Sequence, residues 1–185
     1  MTFRVSLVVL LLLFAFSAKG ETANFIVEMV ETHLKEGRYL MDARIEYRLS
    51  KRALEALENG VPITLDLRVE LIELGDSWIW PEYMLDTHIR HTIRYHSLAE
   101  SYQLFEHSTQ QTTNFVTQAA LLTALGEISG FELIEAEALQ PNKTYQVRIN
   151  TALDIESLPL PLRPMAYLQP DWRLSSGWSQ WPLEQ

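Results

Sequence analysis

The chain has no cysteine, and that absence removes more chemistry than any residue present supplies. No disulfide can staple the fold, no thiolate can hold a metal, and no thiol can act as a nucleophile. The core must hold by burial alone. Glycine is scarce as well, with 7 in 185 residues, and none of them forms a Gly-rich phosphate loop. Positive charge is in deficit: 15 Lys and Arg face 24 Asp and Glu, a formal net charge of −9. A surface of that sign disfavours nucleic acid and anionic lipid as partners.

Long apolar runs are also missing. The longest, Val5 to Phe16, contains one serine and spans only about 18 Å at helical rise, against a hydrocarbon core of roughly 30 Å. A short positive start at Met1 to Arg4 precedes it, and Ala18-Lys19-Gly20 places small residues where a signal peptidase reads. The pattern predicts a cleaved secretory signal over residues 1–20, a single β-rich domain over 21–185, a periplasmic location and no stable membrane insertion after cleavage. Loss of Arg4 and Lys19 leaves 13 basic against 24 acidic residues, so the mature charge is −11.

Within that domain, period-two alternation marks half-buried strands. Tyr39, Met41, Ala43, Ile45, Tyr47 and Leu49 share one face, with Asp42, Arg44, Glu46 and Arg48 on the other. Ile63 to Leu71 and Tyr145 to Leu153 repeat the pattern, and weaker alternation covers Phe25 to Thr32, Thr87 to His96 and Ser101 to His107. Two helices interrupt the strands. Ser50 caps Lys51 to Leu57, closed by Asn59-Gly60, and Thr113 or Asn114 is expected to cap Phe115 to Leu125, ended by Gly126 or Gly130. The expected fold is mainly β, an antiparallel sandwich with two short helices and an irregular Pro/Trp-rich C-terminal segment packed on it. An α+β layer is the alternative.

Catalytic patterns are weak. His88 and His96 share a strand face but lie about 26 Å apart, and His91 points the other way, so no metal site is expected. Ser175 and Ser176 lack a nucleophile elbow, and Asp154 and Glu156 read as a solvated strand exit. No cofactor is implied. His88, Arg90, Arg94 and His96 instead form a basic stripe, read either as partners of acidic neighbours or as a surface for an anionic partner.

Aromatic residues concentrate in two places. The loop Gly75 to Glu82 carries Trp78 and Trp80, and the stretch Leu158 to Gln185 holds five prolines with Arg163, Trp172, Arg173, Trp178 and Trp181. One reading folds that stretch over an open sandwich end, with Trp172 and Trp178 plugging the core and Arg163 or Arg173 stacked on an indole. The other makes it, with the tryptophan loop, one recognition surface.

The pieces Ala56 to Pro62, Trp78-Ile79-Trp80, Arg94 to Leu98 and Leu158 through Trp178 resemble the proteobacterial domain of unknown function 4390 family, in matching order from about Asn24 to Pro182. The resemblance implies an exported protein of unassigned activity, so no catalytic residue carries over. It also implies an accessory role for a membrane sensor kinase. The expected function is a non-enzymatic protein-interaction module, with the outer part of a membrane sensor as candidate partner. Trp78, Trp80, Arg94, Tyr95, Arg163, Trp172, Arg173 and Trp178 are the candidate contact residues. Small-ligand binding is the alternative.

Overall fold

The alternating segments form two antiparallel sheets that bury their apolar faces against each other. The computed structural model describes residues 24–75 and 82–184; the expected signal sequence, Trp78 and Trp80 lie outside them. The smaller sheet has the order β1-β2-β7, built from β1 (Phe25–Lys35), β2 (Arg38–Tyr47) and β7 (Glu127–Glu135). The larger runs β6-β5-β4-β3-β8-β9. Its strands are β3 (Ile63–Leu74), β4 (Glu82–His96), β5 (Ser101–Glu106), β6 (Gln111–Phe115), β8 (Thr144–Leu153) and β9 (Ser179–Pro182). This is the expected sandwich.

The core is the sum of the alternating faces. Tyr39, Met41, Ala43, Ile45 and Tyr47 of β2 meet the odd-numbered residues Ile63 to Leu71 of β3 and Tyr145 to Leu153 of β8, all buried. One polar bond crosses this interior: the Tyr47 hydroxyl pairs with Thr151 Oγ1 at 3.1 Å, and burial pushes the phenol pKa up to about 12. Lys35 pairs with Arg38 across a two-residue turn of Glu36 and Gly37, both at positive φ, the geometry that matches strand twist in a hairpin.

Helix α1 (Lys51–Glu58) starts where expected: Ser50 Oγ accepts from the Ala53 N–H at 3.1 Å, and Ala53 and Leu57 face the core. Helix α2 (Gln118–Gly126) begins later than its composition suggests. Its cap is Thr117, because Phe115 is held by β6 opposite Tyr102 of β5. The C-terminal segment adds a third helix, α3 (Arg163–Leu168), with Pro164 in its first turn, where a missing N–H costs nothing.

Gly126, the last residue of α2, is glycine for a packing reason. A Cβ there would sit 2.0 Å from the carbonyl oxygen of Ile45, in the central strand of the small sheet.

Candidate functional site

The C-terminal segment does two jobs, visible residue by residue. Leu158, Ala166, Trp172, Leu174 and Leu183 are buried in the common core. After α3, the chain turns back along β8. Leu153 N–H donates to the Leu174 carbonyl at 2.9 Å, Ser176 N–H to Thr151 at 2.9 Å, and β9 then pairs with β8 from Ile149 to Gln146. Ser175 and Ser176 spend their hydroxyls in this seam: Ser176 Oγ accepts from Thr151 N–H at 3.1 Å, and Ser175 Oγ from Gly177 N–H at 3.1 Å. The expected plug is therefore half right. Trp172 enters the core, while Trp178 lies outside it.

Trp178 rests instead on the outer face of the large sheet. The register puts Glu70 of β3 between Asp86 of β4 and Arg148 of β8, with Arg68 one step along the same face. Arg68 grips Asp86 with two bonds, at 2.8 and 2.7 Å, and reaches Glu70 at 3.0 Å. Arg148 reaches Glu70 from the other side at 3.5 Å. The Trp178 ring covers both guanidiniums, 4.6 Å from Arg148 and 5.5 Å from Arg68, and Glu70 beneath is only 2% exposed. Hydrogen bonding to Arg68 holds the Asp86 carboxyl below the usual carboxylate range. The indole thus stacks on Arg68 and Arg148 rather than on Arg163 or Arg173, partners that cannot be chosen before strand order is known.

Replacing Trp178 with alanine removes both cation–π contacts and lets water reach Glu70. A loss of about 1–2 kcal/mol is expected from urea unfolding, with Trp178→Phe recovering roughly half. An unchanged midpoint for Trp178→Ala would mean the indole is not a structural cover.

The other candidate residues scatter. Arg163 donates from Nε to the Leu158 carbonyl at 2.7 Å and pairs with Glu156 at 3.7 Å, and Tyr167 also bonds Glu156. Arg173 donates to the Tyr167 carbonyl at 2.5 Å. These two arginines shape the segment from within. Asp154 caps the turn that follows β8, accepting from Glu156 N–H at 3.0 Å.

Arg94 and Tyr95 are neighbours in sequence that face opposite ways. Tyr95 packs inward on Tyr102, ring centroids 4.8 Å apart, while Arg94 is exposed on the outer face. Twelve residues of β4 separate Arg94 from Glu82, which flanks the tryptophan loop, a distance of about 40 Å. In the basic stripe, Asp66 answers His88 at 2.7 Å and Arg90 at 3.2 Å, and Gln103 answers His96 at 2.6 Å. Arg94 has no ion-pair partner among the described residues. His91 points inward, and burial pulls its pKa down. Among the described residues no group of three or more side chains could hold a metal ion.

Five surface dents among the described residues, of 230 to 430 Å³, are open, and none of the five is lined by Arg94 or Arg163. Around α3, by contrast, apolar side chains stand in solvent: Leu160 is 72% exposed, Met165 50%, Tyr167 45% and Leu168 82%. Sequence reasoning picked the stretch from Arg163 to Trp178 for its aromatic and cationic residues and did not single out Leu160, Met165 and Leu168. The signal was a Leu-Pro-rich stretch carrying more apolar residues than one core face can absorb.

Among the described residues no helix is long and apolar enough to cross a membrane. No curated protein and no solved structure matches the chain. The family model described as domain of unknown function (DUF4390) matches residues 22–182, nearly the whole domain, and the chain belongs to that family.

Proposed function

We propose that the protein is an exported, non-enzymatic interaction module that docks on another protein through its C-terminal segment, with the periplasmic part of a membrane sensor as the partner. The observation that carries the reading is the exposure of Leu160, Met165, Tyr167 and Leu168, large apolar side chains left in solvent around α3. Exposed apolar groups gathered on one proline-stiffened turn and helix suit a protein contact, since little chain freedom is lost on binding. The N-terminal pattern supports export, and the net charge of −9 supports a protein rather than a nucleic acid or an anionic bilayer.

A photo-crosslinking residue at Leu168 of the full exported chain is expected to capture one membrane sensor in the periplasm. Leu160→Glu with Leu168→Glu should cut a capture read from a neighbouring position about tenfold or more, while leaving the thermal midpoint within about 2 °C. A small molecule co-purifying with the protein, with no crosslinked partner, would replace this reading by the ligand-binding one.

A further inference from the structure

The described sheets have four outermost strands, and three of them are blunted; residues 82–89 of β4, beyond the reach of β5, form a further open stretch that carries Glu82, Asp86 and His88. β9 is four residues long and ends in Pro182. β1 carries a register shift at Val27/Met29 and charges at Glu28, Glu31 and Lys35, and Glu184 N–H donates to its Thr32 hydroxyl at 3.1 Å. β7 is broken by two register shifts against β2 and has Gly130 at φ 64°. These are the devices that keep a sheet from pairing with other chains. β6 has none of them. Its five residues, Gln-Thr-Thr-Asn-Phe, hold unbroken register with β5, carry no charge, proline or glycine, and are exposed up to Phe115.

The direction of the free backbone groups follows from one bond. His107 N–H donates to the Arg90 carbonyl at 3.0 Å, so residues 101, 103, 105 and 107 turn their polar groups toward β4. Hydrogen-bonding direction alternates along an antiparallel strand, so 102, 104 and 106 turn toward β6 and are answered by 115, 113 and 111. The N–H and C=O of Thr112 and Asn114 therefore point off the sheet. Their side chains share the outer face with Phe105 and Gln103, which lie opposite Thr92 and Arg94. That face holds Arg94, exposed and without an ion-pair partner among the described residues, and His107, whose ring meets Thr92 Oγ1 at 2.8 Å. Glu106, the acid of β5, points to the other face and is held by the Ser108 and Thr109 hydroxyls.

We infer that β6 is a strand-addition site for an extended segment of another protein, one that places carboxylates opposite Thr112 and Asn114 and uncharged β-formers between them. Backbone bonds to Thr112 and Asn114 supply the affinity, and the positive charge of Arg94 selects acidic residues on the outer face. This rests on the reading of the chain as a protein-binding module and assigns that module a second, backbone-directed contact, separate from the exposed side chains around Leu168.

The test uses the full mature chain and blocked peptides of about ten residues, one alternating Val and Glu, the other Val and Lys. Amide exchange at Thr112 and Asn114 should slow about tenfold or more with the Val-Glu peptide and stay unchanged with the Val-Lys peptide. Thr112→Pro, which removes only an outward N–H, should keep the thermal midpoint and lose protection at Asn114. Arg94→Glu should shift the preference to the Val-Lys peptide. Equal slowing by both peptides, slowing by neither, or slowing that follows protein concentration without peptide would each overturn the proposal, the last by making a second copy the occupant. If Leu168 crosslinks persist while exchange never changes, the partner reading stands and the β6 site falls.

Discussion

A chain truncated after Gln169 should not fold. The lost residues include Trp172, Leu174 and Leu183, each 6% exposed or less, and the whole of β9. At roughly 1.5–3 kcal/mol for each large apolar side chain, their burial alone approaches the 5–15 kcal/mol by which a domain is usually stable. The truncation also strips β8 of its partner on one side, leaving Val147 and Ile149 beside an open edge. It removes Asp171 as well, which joins α1 through Arg52 at 3.0 Å. With no disulfide to hold the remainder, nothing offsets these losses. Loss of the near-ultraviolet dichroism and of a cooperative urea transition is the expected result. A truncated protein that unfolds cooperatively near the parent midpoint, and has lost only its partner, would make residues 170–184 a recognition tail instead.

Gly126→Ala tests the other end of the packing argument, because two principles predict opposite signs. As a helical residue, alanine is better than glycine by about 1 kcal/mol. As a neighbour of β2, it drives a methyl to within 2.0 Å of the Ile45 oxygen and 3.1 Å of the Ile45 carbon. Those atoms belong to the backbone of a strand paired with β1 at Ile45 and with β7 up to Arg44, and cannot move aside singly. Overpacking against fixed backbone costs about 3 kcal/mol and overrides the propensity gain. Chemical denaturation of Gly126→Ala should therefore show a clear loss; a neutral or stabilised variant would show that α2 can slide away from the small sheet.

How much of this was legible in the residues depends on what each strand touches. β2, β3 and β8 alternate cleanly because each has one face on the core, and their inward residues were read correctly from period two alone. β7 was missed because its register shifts and Gly130 break the period, and Leu133 is its one buried residue. β6 was missed for the opposite reason: with four of five residues exposed it carries no apolar pattern, and its Thr and Asn look like helix caps. β9 hid among prolines. At the candidate site, the segment's importance was visible in its tryptophans and arginines, while its partners were not. Glu70 reads as an ordinary wet-face residue in a strand, and only the fold shows that Trp178 crosses back to cover it.

The bond between Thr32 and Glu184 gives the fold a timetable. The two residues are 152 positions apart, and closing a loop of that length costs about 4 kcal/mol in chain entropy before the seam returns anything. At synthesis rates of 5–20 residues per second, the 152 residues that separate them take roughly 8–30 s to appear. For that interval the edge of β1 faces water with no seal. The protein is thus assembled like a box whose first wall waits for its last board. Its slowest folding step should be the docking of residues 179–184 along β8 and β1, and a chaperone that holds the open chain has a defined edge to bind.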